Sequence, residues 1–123
     1  LIDNCYDRNI YKLIQCADII IADYGAIIFE GIYMSKNLVL LDMFNGSKYV
    51  EELISNDAVE IGIRKELIFL KQNFNVTEIR SKIEQSLSID YQNTIKKKKV
   101  EIFGDDNNKG LDYIEFINFL RKL

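Results

Sequence analysis

The hydrophobic pattern changes period several times along the chain. Tyr6, Ile10, Leu13, Ile14 and Ala17 recur at the spacing of one helix face, which predicts a helix over about residues 5–16. Asn4, followed three positions later by Asp7, resembles a capping box with Asp in the acid role. Ile19-Ile20-Ile21-Ala22 is then apolar without alternation and rich in β-branched residues, as in a strand of a parallel sheet covered by helices on both faces. Ala26 to Met34 is apolar nearly all round and reads as a buried helix that starts just after Gly25. Lys36-Asn37 turns the chain into a second buried strand, Leu38-Val39-Leu40-Leu41. Strand, helix and strand in so short a span form a βαβ unit, whose parallel pairing needs a right-handed crossover.

The second half is less regular. Asn45-Gly46-Ser47 reads as a loop, Tyr49 to Ile54 as a short helix, and Ala58-Val59-Glu60-Ile61 as a weaker strand. Arg64 to Phe74 reads as a helix. Asn75 with Glu78 three later offers a cap for the next one, striped by Ile79, Ile83 and Leu87. Asp90 to Lys99 continues as a polar helix or linker, and Gly104 to Gly110 is loop-like. From Leu111 a helical stripe returns, with Tyr113, Ile114, Phe116, Ile117 and Leu120 on one side. The expectation is an α/β fold in one partial domain: a βαβ core over about residues 1–62, a helical part over about 64–99, and a loop with a C-terminal helix over about 104–123.

Composition narrows the chemistry. The 123 residues contain no histidine, which removes the commonest general base, the commonest zinc ligand and every nucleophile arrangement that depends on imidazole. A net charge of −3 gives no general electrostatic case for nucleic acid. No segment approaches the roughly 18 apolar residues of a membrane span, and no signal peptide is visible. Cys5 and Cys16 lack metal-type spacing and read as reduced thiols of a cytoplasmic protein. The chain starts at Leu1 instead of Met, so it is read as a piece of something longer.

Four features could carry chemistry. Asp23-Tyr24-Gly25-Ala26 stands where a parallel strand ends and a helix begins. There the unpaired N–H groups of the first helical turn and the positive end of the helix dipole suit a phosphate. Gly25 lets a ligand approach the backbone and Asp23 could cap the helix; the plain alternative is turn chemistry with a cap. Glu30, an acid on an apolar helix, must pair, reach water or accept hydrogen bonds from a ligand such as ribose hydroxyls; Lys36 is its candidate ion-pair partner. Gly104 to Gly110 imitates a calcium loop, but Lys109 falls on a ligand position and Phe116 on the position of the essential Glu, so an EF-hand is rejected. The loop then either caps the last helix or turns its N–H groups toward a phosphate. Lys96-Lys97-Lys98-Lys99 is either a solvated face or a contact for anionic lipid head groups.

The order of these features resembles the nucleotide-binding half of GT-B transferases. The strand Ile19-Ile20-Ile21-Ala22, the corner Asp23-Tyr24-Gly25-Ala26, the Phe29-Glu30 pair and the strand after Lys36-Asn37 are similar to the CDP-glycerol glycerophosphotransferase family, which builds teichoic-acid-type polymers. The resemblance extends over nearly the whole chain and is specific over about residues 12–42. It implies a Rossmann-like parallel sheet flanked by helices, the C-terminal half of a GT-B architecture, and incomplete. It also implies that Asp23, Tyr24, Gly25 and Ala26 hold the donor phosphates and that Glu30 lies at the ribose. Asp106, Asn107, Asn108 and Lys109 would form a loop approaching the same donor. The implied partners are CDP-glycerol or another nucleotide-activated donor and a polymer acceptor bound through a missing domain, with no nucleic acid and no cofactor. The implied place is the cytoplasm, at the inner face of the cell membrane as a peripheral protein. The sequence departs from the family at Gly25-Ala26, where relatives carry two serines, and at Asn37, where they carry proline. The family's catalytic histidines have no counterpart, so this chain alone is expected to be inactive. Sugar-nucleotide GT-B glycosyltransferases or epimerases, and a non-catalytic α/β remnant or interaction module, are the alternatives.

Overall fold

Two short apolar runs become the strands at the centre of the protein, β1 (Ile19–Ala22) and β2 (Asn37–Leu41). The computed structural model describes residues 10–43, 46–53, 55, 59–105 and 121. Helix α1 (Ile10–Cys16) leads into β1, and α2 (Ala26–Tyr33) crosses from β1 to β2. Helices α3 (Gly46–Leu53) and α4 (Val59–Glu66) connect β2 to β3 (Phe69–Leu70), and α5 (Val76–Ser86) and α6 (Ile89–Phe103) follow. The three strands are parallel in the order β1-β2-β3. Ile19 lies opposite Asn37 and Ala22 opposite Leu40, while Leu40 also faces Phe69. The protein is therefore an α/β fold with a parallel sheet flanked by helices, and the βαβ unit forms as the sequence predicts.

The core follows from β2 lying in the middle. Leu38, Val39 and Leu40 have 0% exposure, as do Ile32 of α2 and Ile95 of α6, and Ile28 is buried with them. Burial of each such side chain contributes roughly 2 kcal/mol. Tyr91 of α6 adds a polar tie: its hydroxyl donates to the Leu38 carbonyl at 2.5 Å and accepts from the Ile68 N–H at 3.2 Å. One phenol thus joins the central strand to the segment that enters β3. The predicted cap of α5 is present, since the Asn75 side chain accepts from the Glu78 N–H at 2.8 Å. Ser88 caps α6 in the same way through Tyr91 N–H.

Several expectations are corrected. Val59-Glu60-Ile61 is helix and not strand, because the stretch buries Ile61, Arg64 and Leu67 at helical spacing; Ala58 lies outside the described residues. The helix expected over Arg64 to Phe74 ends at Glu66, and Phe69-Leu70 pairs with β2 instead, so a third strand falls within the part expected to be helical. Gly46 and Ser47 open α3 and are not loop. On β1, Ile20 and Ala22 are buried but Ile21 is 45% exposed, so among the described residues one face of this strand is not covered by a helix. Of the two readings of Asp90 to Lys99, helix or linker, helix holds, within α6. Its four lysines do not act as one patch: Lys98 is buried and ion-paired with Glu66 and Glu101, and Lys99 lies 5.2 Å from the Tyr33 ring centroid. Among the described residues no helix is long and apolar enough to cross a membrane.

Candidate functional site

Three residues, Asp23, Tyr24 and Gly25, carry the chain from the end of β1 to the start of α2. Gly25 has φ +113° and ψ −179°, a combination that in practice only glycine adopts. It is the N-cap residue, and no side chain caps the helix. The expectation that Asp23 caps α2 is corrected accordingly: a capping carboxylate must stand directly before the first helical residue, and that place belongs to Gly25. Asp23 instead accepts from the Met43 N–H at 3.2 Å, which ties the corner to the chain beyond β2. Gly25 and Ala26 are exposed, so the very start of α2 is open at the carboxyl end of two parallel strands. That is where ligands gather in open α/β sheets, and the uncapped N–H groups there suit an anion.

Tyr24 turns away from this mouth and is held inside. Its hydroxyl donates to Asp42 Oδ1 at 3.1 Å, and the Arg64 guanidinium stacks 3.6 Å from its ring centroid. Gly46, at the start of α3, passes so close that a Cβ there would overlap the Tyr24 ring. Arg64 is the hub. From α4, Nη1 donates to the Glu60 carbonyl at 2.9 Å, while Nη2 donates to the Asp23 carbonyl and, at 3.3 Å, to the Leu41 carbonyl. The ends of β1 and β2 are thereby joined through one guanidinium. Burial lowers the Arg64 pKa, opposed by the neighbouring Tyr24, Asp23, Asp42 and Glu60, and the group stays a cation. Only 7% of Arg64 is exposed, and its Nε–H has no hydrogen-bond partner.

The structure does not gather all the predicted site residues. Glu30 is half-buried on α2, where burial raises its pKa and a hydrogen bond to Tyr11 of α1 opposes that rise. Lys36 is not its partner, since Lys36 Nζ donates to the Gln15 and Ala17 carbonyls at 2.7 and 3.0 Å. Asp106, Asn107, Asn108 and Lys109 lie outside the described residues. Conversely, Asp42, Gly46 and Arg64 were not legible as parts of the corner. Two signals stand in the sequence all the same. Asp42 follows an apolar strand directly, as Asp23 does, and Arg64 lies three residues from both Ile61 and Leu67 on an inward face.

The assembled corner presents the start of α2 without a side-chain cap, braced by Asp23, Tyr24 and Arg64. It offers no imidazole, and among the described residues no three Cys, Asp or Glu side chains come together as metal ligands. Comparison with family models, with curated proteins and with solved structures gives no match to this chain.

Proposed function

We propose that this chain is the donor-nucleotide-binding part of a GT-B-type transferase, of the kind that moves glycerol phosphate from CDP-glycerol to a polymer hydroxyl at the inner face of the cell membrane. The observation that supports it is the N-terminus of α2: a glycine-only backbone, no side-chain cap, and exposed Gly25 and Ala26 at the carboxyl end of parallel strands. The resemblance over residues 12–42 supplies the substrate class. Gly25 and Ala26 would receive the donor diphosphate through backbone N–H groups, stabilising charge on the departing nucleotide. Asp23 and Tyr24 would serve by bracing the turn, because both are engaged internally. Glu30 would meet the ribose only by giving up Tyr11. A second domain would bring the acceptor and any general base.

A second reading, a non-catalytic α/β piece, is favoured by the internal use of Asp23 and Tyr24. Titration of the chain with CDP separates the two. Ala26→Asp is the informative variant, since an acid at the first helical position favours the helix dipole yet repels a phosphate. Saturable CDP binding, weakened about tenfold or more by Ala26→Asp with an unchanged melting temperature, is the expected result. Absence of binding, or binding indifferent to the new charge, would leave the corner a purely structural turn.

A further inference from the structure

A separate cavity of about 440 Å³ opens beside Arg64, where α4 meets the carboxyl ends of β2 and β3. Ile61 and Phe69 supply apolar wall, and Arg64, Lys65 and Lys71 bring three cations against the single carboxylate of Asp42. We propose that this cavity binds a phosphate ester of mononucleotide size, with Lys65 and Lys71 holding the phosphate and Ile61 and Phe69 taking the flat or apolar remainder.

Four observations support it. The volume lies within the range of small-molecule sites, which are mostly apolar with a few converging polar groups. The cavity stands outside the carboxyl ends of parallel strands, since Asp42 and Lys71 directly follow β2 and β3. Lys65 and Lys71 are exposed and form no ion pair among the described residues, unlike Lys48 and Lys98. Their charge is therefore available to a ligand. Finally, Arg64 stands more than nine-tenths buried in the cavity wall, held by backbone carbonyls, and adds a fixed positive charge there. This inference does not rest on the donor reading: Asp42 and Arg64 border both places, but the phosphate contacts are assigned to Lys65 and Lys71 and not to Gly25 and Ala26.

The test is titration of the full chain with CMP, UMP, AMP and GMP, followed by NMR or calorimetry, with inorganic phosphate as competitor. Saturable binding of at least one nucleotide, displaced by phosphate, is expected. The double variant Lys65→Met with Lys71→Met should weaken it about tenfold or more, the scale of losing charge-assisted contacts. Lys96→Met with Lys97→Met, which removes two exposed cations of α6, should leave binding unchanged. All these positions are exposed, so melting temperatures should stay within a few degrees of the parent, about the shift expected of surface changes. No saturable nucleotide binding overturns the proposal, and so does an equal loss from both lysine pairs. Loss by Ala26→Asp without loss by the Lys65 and Lys71 variant overturns it while leaving the donor reading intact.

Discussion

Arg64 and Tyr91 perform the same structural task at different points on the sheet. Each reaches inward from a helix and binds backbone groups of the strands: Arg64 the carbonyls of Asp23 and Leu41, Tyr91 the carbonyl of Leu38 and the N–H of Ile68. They differ in completeness. The Tyr91 hydroxyl both donates and accepts and is sealed in the core. Arg64 keeps an unsatisfied Nε–H beside a cavity with two further cations. A buried polar group that is fully satisfied rigidifies a fold; one that is only partly satisfied carries a desolvation cost. Tyr91 is thus a fully satisfied tie, and Arg64 a tie with one donor left over.

Removing Arg64 should produce the largest effect. Arg64→Met keeps much of the stem packing but strips donors from three carbonyls, and a loss of about 3 kcal/mol by urea denaturation is expected. A loss below about 1 kcal/mol would mean that the guanidinium contributes little to joining β1 and β2.

Tyr91→Phe should cost less, about 2 kcal/mol, because it orphans one carbonyl and one N–H while preserving the ring. It should also alter the alkaline limb of stability. Burial pushes the Tyr91 phenol up from its ordinary 10.0 to about 12. Between these values the unfolded chain releases the proton while the folded one retains it, so stability falls as pH rises through that window. The phenylalanine variant should lose that part of the slope. A parallel decline in both proteins would place the alkaline sensitivity elsewhere.

The smallest effect is expected at Glu30, whose carboxyl is raised by burial against the opposing bond from Tyr11. A raised acid binds its proton more readily in the folded state, so its contribution to stability declines as pH rises past the usual carboxylate range. Glu30→Gln should therefore be slightly more stable than the parent at neutral pH, and the advantage should vanish in acid, where Glu30 is protonated in both states. A variant less stable at neutral pH would show that the ionised carboxylate is the form the fold favours.

Ile19 to Ala22 and Leu38 to Leu41 were legible because a run of apolar residues with no alternation admits few other uses, and so was the helix between them. Asn75 was legible because its cap is local. Ala58 to Ile61 misled because Val59, Ile61 and Ile63 alternate as a strand would, while burial of Arg64 and Leu67 with Ile61 chooses the helix. Phe69-Leu70 is too short to carry a period of its own and becomes a strand only by pairing with β2.

By itself, then, the sequence determined the elements whose signal is local: the apolar runs, the cap at Asn75, and a glycine at Gly25 that a sharp corner demands. Tertiary structure decided what each polar residue near that corner does. Asp23 became a brace for Met43, Tyr24 a platform for Arg64, Glu30 the partner of Tyr11, and Lys98 a buried ion-pair member. The physical reason is distance along the chain. The hydrogen bonds that set these roles join residues some 20 to 40 positions apart, and no local period or propensity encodes a partner so far away.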